Sequence, residues 1–156
     1  MIRIPIPGAE TLAIEHIVLD YNGTLAIDGA LLPGVAARLN ALAEEVQVHV
    51  VTADTFGKAR AALMGMHCAL TILPPDGQDA AKLAYVQRLG PERTAAIGNG
   101  RNDALMLQAA ALGIAVLEGE GAASAVLMAA DVAAPGILPA LDLLLHPLRL
   151  VATLRR

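Results

Sequence analysis

The sequence has few of the residues on which several protein classes depend. Of its 156 residues, one is cysteine, one is phenylalanine, two are tyrosine and none is tryptophan. A single thiol, Cys68, cannot form an internal disulfide, which is typical of proteins from the reducing cytoplasm. So few aromatic rings leave little to stack on nucleobases, and a net charge of −4 provides no broad basic surface. These features argue against a nucleic-acid partner.

The chain also lacks a hydrophobic run long enough to cross a bilayer, which takes roughly 18 to 20 apolar residues. Its most apolar segment, 137–154, is interrupted by Asp142, His146 and Arg149. The first residues show neither the apolar core nor the cleavage site of a signal peptide. We therefore expect no membrane partner and a cytoplasmic location. The mean hydropathy of +0.57 is instead typical of strands buried on both faces of a parallel sheet.

Short apolar runs alternate with helical patterns along the whole chain. Strands are predicted near 16–19, 46–51, 68–73, 94–97, 114–116 and 131–133, and helices near 34–45, 55–64, 79–89, 102–111, 122–128 and 137–155. This alternation predicts an α/β fold with a doubly wound parallel sheet in three α/β/α layers, similar to a Rossmann fold. Thr55 and Asn102 are predicted to cap their helices, and the last helix is predicted to bend at Pro147.

We interpret residues 1–156 as one domain, because no linker, repeat or low-complexity segment interrupts them. Residues 1–14 are predicted to form an N-terminal β-hairpin or an edge strand. Proline at position 5 favours an edge, since proline cannot donate a hydrogen bond inside a sheet.

The segment 16–24 is the most informative part of the chain. A buried strand carries one carboxylate, Asp20, to the strand end, and Gly23 then allows a tight turn whose N–H groups can face an anion. Thr24 adds a hydroxyl group. A carboxylate is a competent nucleophile toward phosphorus when a divalent cation screens the charges. The alternative is that Asp20 only caps a turn.

Two further segments carry groups that suit a phosphate. Thr52 and Ala53 lie where the second strand meets a helix, and a hydroxyl with free N–H groups can bind phosphate oxygens there. The alternative is that Thr52 or Asp54 only caps the helix. Of the 11 basic residues only Lys58 and Lys82 are lysines. We predict that Lys82 reaches Asp20 and the phosphate, with Lys58 as the rival and a solvated surface lysine as the alternative for each.

Segment 98–103 supplies oxygen atoms at another strand end. Asn99 lies between two glycines, and Asp103 lies at a helix start. Together with Asp20 and a backbone carbonyl near Asn22, they would form a sparse Mg²⁺ site completed by water. The alternative for any one of them is a helix cap in a glycine-rich turn. The four histidines are scattered without metal-ligand spacing, and we interpret them as structural.

Taken together, these segments resemble the four motifs of the haloacid dehalogenase (HAD) superfamily over residues 16 to about 133. The matching segments, in order, are Asp20-Tyr21-Asn22-Gly23-Thr24, Thr52-Ala53-Asp54, Lys82 and Gly98-Asn99-Gly100-Arg101-Asn102-Asp103. The Thr-Ala-Asp triplet and the proline before Lys82 are most similar to the phosphorylation domain of P-type ATPases and its soluble relatives. The membrane helices and nucleotide-binding insert of those pumps are absent.

The resemblance implies a phosphatase, a hydrolase in which Asp20 becomes a phospho-aspartate with the help of Mg²⁺. The sequence and the resemblance together assign catalysis to Asp20, Asn22, Thr52 and Lys82, phosphate binding to Gly23, Thr24, Thr52, Ala53 and Lys82, and Mg²⁺ binding to Asp20, Asn22, Asn99 and Asp103. The expected substrates are phosphomonoesters.

Two departures from the superfamily pattern matter. Its phosphatases usually carry a second Asp as general acid and base, where this chain has Asn22, which cannot transfer a proton. Asn99 replaces the usual Asp of the fourth motif, which weakens the expected Mg²⁺ binding. We therefore expect slow turnover. The alternatives are a catalytically weak or inactive binding or regulatory protein, and phosphotransfer between partners.

The segments joining Thr24, Thr52 and Lys82 are too short to hold a cap domain, so the site is expected to be open. An open site suits a phosphorylated small molecule or a phosphoprotein. It also suits a homo-oligomer in which a neighbouring subunit covers the site, with the flap at 27–32 and the C-terminal helix as contacts.

Overall fold

The computed structural model describes residues 1–156. The strands are β1 (Ile2–Ile4), β2 (Leu12–Ile14), β3 (His16–Leu19), β4 (Ala26–Ile27), β5 (Ala30–Leu31), β6 (Gln47–Thr52), β7 (Ala69–Ile72), β8 (Thr94–Gly98), β9 (Leu112–Val116) and β10 (Val132–Ala134). The helices are α1 (Val35–Ala43), α2 (Ala59–Ala62), α3 (Gln78–Leu89), α4 (Ala104–Ala109), α5 (Ser124–Ala129), α6 (Ile137–Leu145) and α7 (Pro147–Leu154). Short 3₁₀ turns at Pro91–Arg93 and Arg101–Asp103 precede β8 and α4.

Six strands form one parallel sheet in the order β10-β9-β8-β3-β6-β7. β3 lies in the middle, with Leu19 opposite Val50 of β6 and Ile97 of β8. The chain crosses from β3 to β6 on one side and returns to β8 on the other, so the strand order reverses at β3. In open α/β sheets, ligands bind beyond the C-terminal ends of the strands at such a reversal. Asp20 is the first residue after β3.

Helices cover both faces of the sheet, which confirms the predicted three-layer α/β/α fold. The larger core lies under α1, α6 and α7, and the smaller one lies under α3, α4 and α5. Every residue of β8 and β9 is buried. Burial on both faces explains why these strands are apolar throughout instead of alternating with polar residues.

Both ends of the chain pack on the larger core. Residues 1–14 form an antiparallel hairpin of β1 and β2 outside the main sheet, the first of the two predicted alternatives. The predicted last helix bends at Pro147, as expected, and the bend of 99° divides it into two helices, α6 and α7. Proline at position 147 begins α7, because its missing N–H is tolerated only in a first turn.

No single helix has the length and apolar composition needed to cross a membrane, although α6 and α7 would pass that test if counted together.

The predicted flap is the small hairpin of β4 and β5. Its turn residues Asp28 and Gly29 have φ values of 51° and 77°, as a type I′ turn requires. The Tyr21 hydroxyl donates to the Gly29 carbonyl at 3.0 Å, which ties the flap to the loop after β3. Only this flap and α1 lie between β3 and β6, so the fold has no cap domain there.

Two predicted helix caps are wrong. Thr55 does not cap α2, because Lys58 occupies the N-cap position of this helix. Asp54 Oδ1 accepts the N–H groups of Lys58 and Ala59, each at 2.9 Å, and so closes the turn before the helix. The helix is therefore shorter than predicted and begins at Ala59. Asn102 does not cap α4, since its Nδ2 donates instead to Gln78 Oε1 at 2.8 Å.

Candidate active site

A buried ion cluster lies at the C-terminal end of β3. Lys82 Nζ, from α3, donates to Asp20 Oδ1 at 2.7 Å and to Asp103 Oδ1 at 2.6 Å. All three residues are buried. The structure thus brings Lys82 to Asp20, as predicted. The rival, Lys58, is exposed, and its Nζ lies 3.4 Å from the Asp28 carbonyl oxygen.

The charges in this cluster are unbalanced. Burial and the neighbouring Asp103 carboxylate raise the pKa of Asp20 to about 7, although Lys82 opposes the shift. Burial alone would lower the pKa of Lys82, but the charges and hydrogen bonds of Asp20 and Asp103 outweigh it and raise that pKa. Two carboxylates therefore share one ammonium group. When both are ionised, the cluster is net negative and repels a phosphate dianion unless a cation is added.

Asp103 lies outside the lining of the cleft, and both of its carboxylate oxygens accept hydrogen bonds from within the site, so the Mg²⁺ contact predicted for it stays a prediction. Its Oδ1 accepts from Lys82, and its Oδ2 accepts the N–H groups of Asn99 at 3.0 Å and Gly100 at 2.9 Å. Gly98 makes room for this arrangement, because a Cβ there would lie 2.5 Å from Asp103 Cγ. Asp103 instead holds Lys82 and the loop after β8 in position.

Oxygen atoms with too few hydrogen-bond donors gather beside Asp20. The Thr24 hydroxyl lies 3.3 Å from Asp20 Oδ2 and 3.2 Å from Asn99 Oδ1, but its single proton can serve only one of them. Asn22 Oδ1 is buried and has no hydrogen-bond partner. Such unsatisfied buried oxygens are rare in folded proteins. Carboxylate and amide oxygens are also the ligands that Mg²⁺ prefers, so Asp20, Asn22 and Asn99 suit a hard cation.

The backbone N–H groups of Gly23 and Thr24 do not face an anion, contrary to the prediction. The Gly23 N–H donates to the Ala26 carbonyl at 2.8 Å, and the Thr24 N–H donates to the Tyr21 carbonyl at 3.2 Å. The loop uses these groups to close its own turn. Gly23 has another role: its φ is 78°, and a Cβ at this position would overlap the side-chain amide of Asn99.

Thr52 and Ala53 face the cleft from the end of β6. The Thr52 hydroxyl accepts the Asp54 N–H at 3.0 Å and keeps its own proton for another acceptor. The Ala53 N–H makes no hydrogen bond within the chain. Asp54 Oδ1 accepts the N–H groups of Lys58 and Ala59 at the start of the four-residue helix α2, so we assign no anion site to that helix end. The phosphate contacts predicted at Thr52 and Ala53 stay predictions.

The site opens into a cleft of about 230 Å³ at the edge of the sheet. Asp20, Asn22, Thr52, Ala53 and Asn99 line it, as predicted, whereas the buried Lys82 and Asp103 lie behind Asp20.

Four further side chains in the cleft were not assigned to the site from the sequence: Thr55, Gln78, Asn102 and Glu120. Asn102 lies inside the fourth motif, and Gln78 begins the helix that carries Lys82. Glu120 follows β9, the next strand of the same sheet, so the strand-end rule that selected Asp20 could have found it.

Comparison with known proteins identifies both a family and a fold. Residues 75–134 match the model of the haloacid dehalogenase-like hydrolases. This segment contains Lys82, Asn99 and Asp103 but not Asp20 or Thr52. An uncharacterized protein of Methanocaldococcus jannaschii is 46% identical over 79 residues, which cover 48% of this chain and 85% of that protein.

Two solved phosphatase structures are similar to most of the chain. The 3-deoxy-D-manno-octulosonate 8-phosphate phosphatase of Moraxella catarrhalis, in complex with magnesium, phosphate and KDO, has a TM-score of 0.65 and 16% identity, covering 91% of this chain and 94% of that one. The cobalt-bound deoxy-D-mannose-octulosonate 8-phosphate phosphatase of Haemophilus influenzae has a TM-score of 0.66 and 18% identity, covering 85% and 88%. At these identities the likeness establishes the fold.

Proposed function

Because this chain belongs to the haloacid dehalogenase-like hydrolases, we propose that it is a Mg²⁺-dependent phosphohydrolase that acts on phosphomonoesters through a phospho-aspartate at Asp20. The observation that carries the proposal is the cluster in which Lys82 holds both Asp20 and Asp103 while Asp20 reaches the cleft. The hydrolase class follows from the family, as predicted.

The residues around Asp20 would have different roles in phosphoryl transfer. Lys82 stays charged and favours the ionised, nucleophilic form of Asp20. The Thr52 hydroxyl and the Ala53 N–H are the donors left free in the cleft, and they would bind the phosphoryl oxygens. Asp103 positions Lys82 without touching the substrate.

The residues present fit a magnesium ion. Asn22 Oδ1 has no hydrogen-bond donor, Asp20 Oδ2 and Asn99 Oδ1 share the single proton of Thr24, and the cluster is net negative when both of its carboxylates are ionised. When bound, Mg²⁺ supplies positive charge that offsets the repulsion between Asp20 and the phosphoryl group. Only one of the three side chains is a carboxylate, so we expect weak affinity.

Hydrolysis of p-nitrophenyl phosphate tests the proposal. We expect activity with Mg²⁺, none with EDTA, and none in Asp20→Asn. Asp28→Asn is the matched control, because Asp28 is an exposed acid in the flap turn outside the cleft. Activity that survives in Asp20→Asn would exclude the phospho-aspartate.

Asn22 favours a second candidate, a catalytically weak or inactive binding or regulatory protein. An amide cannot transfer a proton, and general acid–base assistance is typically worth about 10²- to 10⁴-fold in rate. Beryllium fluoride with Mg²⁺ separates the candidates, since ¹⁹F NMR would detect an adduct at Asp20. An adduct without measurable turnover favours the second candidate.

The open cleft also supports proposals about partners. With no cap domain, the substrate would be a phosphorylated small molecule or a phosphoprotein, and a panel of phosphorylated metabolites would distinguish them.

Phe56, which is 47% exposed and lies against Gly29 of the flap, offers an apolar contact for a second copy of the chain. Light scattering that shows a monomer at micromolar concentration would overturn the homo-oligomer. The cytoplasmic location and the finer similarity to P-type ATPases stay predictions.

A further inference from the structure

The proposed reaction needs a proton acceptor that Asn22 cannot provide. Hydrolysis of phospho-Asp20 requires a base for the attacking water, and the side chains lining the cleft carry only two carboxylates, those of Asp20 and Glu120. No histidine, lysine, cysteine or tyrosine lines the cleft. Asp20 is the nucleophile and carries the phosphoryl group as an acyl phosphate at this stage. We propose that Glu120 is the general base for this step, an inference that rests on the proposed phosphohydrolase function.

The Glu120 carboxylate is available to accept a proton. It is exposed at the mouth of the cleft and takes part in no ion pair or hydrogen bond within the chain. The other acid near Asp20 is unsuitable, because both oxygens of the fully buried Asp103 accept hydrogen bonds from within the site. Glu120 is thus the free carboxylate that water in the cleft can reach.

The loop that carries Glu120 is fixed on both sides. The Gly121 carbonyl accepts from Asn99 Nδ2 at 2.9 Å, and the Gly121 N–H donates to the Glu118 carbonyl at 2.8 Å. Glu118 Oε1 in turn accepts the Ile137 N–H at 2.6 Å, which anchors the loop to the start of α6.

These contacts also join the loop to the nucleophile. Asn99 lies 3.2 Å from the Thr24 hydroxyl, and this hydroxyl lies 3.3 Å from Asp20. On its other side the loop touches the flap, since a Cβ at Gly119 would lie 2.8 Å from Ile27 Cδ1. Glu120 is therefore held at the cleft by the same asparagine that contacts the nucleophile loop.

The step balances with water as the only co-reactant. The water oxygen attacks phosphorus, the bond between phosphorus and the Asp20 oxygen breaks, and one water proton passes to the Glu120 carboxylate. The products are the Asp20 carboxylate, hydrogen phosphate and protonated Glu120. Because Glu120 is exposed, it returns its proton to solvent before the next cycle.

Rapid-quench kinetics of Glu120→Gln test the assignment with p-nitrophenyl phosphate and Mg²⁺. We expect phosphorylation of Asp20 at the wild-type rate, seen as a stoichiometric burst of p-nitrophenolate, followed by steady-state turnover about 10²-fold slower. Acid-quenched protein should carry accumulated acyl-phosphate. Glu120→Asp should retain part of the turnover, and formate should restore part of it to Glu120→Ala, which a purely structural role would not allow.

Glu10→Gln is the matched control, because Glu10 is an exposed acid in a separate groove beside Arg156. It should leave both phases unchanged. Wild-type turnover in Glu120→Gln would overturn this inference and leave the proposed function intact. An equal loss of burst and steady-state rates, without formate rescue of Glu120→Ala, would also overturn it. Absence of turnover in the wild-type protein would overturn both.

Discussion

At Asp20, the requirement for a reactive carboxylate conflicts with the requirement for a stable fold. The residue is buried beside another carboxylate, and the single charge of Lys82 must serve both. Asp103 is compensated by two backbone N–H groups in addition to Lys82. At Asp20, burial and then the Asp103 carboxylate outweigh Lys82 and the backbone hydrogen bond at Tyr21, and they raise the pKa of Asp20 to about 7. The same imbalance that destabilises ionised Asp20 would favour a cation and a phosphoryl group beside it.

We predict that Asp20→Asn stabilises the metal-free protein at pH 8. The pKa of Asp20 is raised from 3.8 in the unfolded chain to about 7 in the fold, so ionisation of Asp20 reduces stability increasingly as pH rises between these values. Asparagine removes this cost, and the free energy of unfolding should rise by about 1 kcal/mol or more at pH 8 and by less at pH 5. Urea denaturation at both pH values measures the difference.

The matched variant Asp103→Asn should have the opposite effect. Its amide would place N–H donors against the N–H groups of Asn99 and Gly100, at a loss of about 2 to 4 kcal/mol. Destabilisation by Asp20→Asn at pH 8 would contradict the imbalance inferred at Asp20.

We predict that Asn22→Asp increases turnover of p-nitrophenyl phosphate by about 10- to 100-fold, because it adds a second group able to transfer a proton in the cleft. The same change should restore turnover to Glu120→Gln. Steady-state kinetics at saturating Mg²⁺ provide the measurement, and Asn22→Ala is the control that should give no gain. An unchanged rate in a folded, metal-binding Asn22→Asp variant would show that proton transfer does not limit turnover.

At the scale of elements, the loops after parallel strands form the site and have little freedom to change. The loop after β3 is closed by its own N–H groups and lies directly against Asn99 of the loop after β8. The loop after β6 is held by Asp54, whose Oδ1 accepts two N–H groups at the start of α2. The loop after β9 is held by Asn99 and by the start of α6. Contacts between neighbouring loops therefore define the cleft.

We predict that Gly23→Ala is much more destabilising than Gly57→Ala. Both glycines have left-handed φ values, 78° and 65°, so both substitutions cost about 1 kcal/mol of backbone strain. A methyl group at Gly57 meets nothing within 4 Å, whereas at Gly23 it overlaps the Asn99 side chain. Gly23→Ala should therefore lose about 3 kcal/mol or more in chemical denaturation. Equal losses in the two variants would contradict the close packing of the two loops.

At the scale of the whole molecule, a chain of three polar side chains, the half-buried His16 and the buried His49 and Tyr85, joins the elements that carry the site. His16 Nδ1 of β3 lies 3.2 Å from His49 Nε2 of β6, and His49 Nδ1 lies 3.0 Å from the Tyr85 hydroxyl of α3. Asp20 follows β3, Thr52 is the last residue of β6, and α3 carries Lys82. Two of the four histidines interpreted as structural, His16 and His49, thus connect β3, β6 and α3.

We predict that this contact makes the fold less stable in acid. Burial, and then the charges of His16 and Arg88, lower the pKa of His49 from 6.5 to about 4. The unfolded chain therefore binds a proton that the fold does not, and stability is lost as pH falls from 6.5 to 4, by up to about 3 kcal/mol. Over the same pH range, protonation of Asp20 increases the stability of the fold as pH falls, which would mask the effect of His49. The measurement should therefore be made on the Asp20→Asn variant.

Urea denaturation of the Asp20→Asn variant between pH 7 and pH 4 measures the loss. His49→Gln should flatten the decline, and His67→Gln should not, because His67 is exposed. A decline that persists unchanged in His49→Gln would assign the acid sensitivity to other groups.

The amino-acid sequence was sufficient to predict the parallel sheet and the order of the motifs, and it favoured Lys82 over Lys58 as the lysine that approaches Asp20. Apolar periodicity and strand ends are local properties, and one parallel sheet must bring its strand ends to a common edge. Only the tertiary structure decided which donor each oxygen receives. In the structure Asp103 accepts hydrogen bonds from Lys82 and from two backbone N–H groups. The N–H groups of Gly23 and Thr24 donate within their own loop, and Glu120 lines the cleft. Several partners for each group lie nearby in sequence, and ångström-scale packing chooses among them.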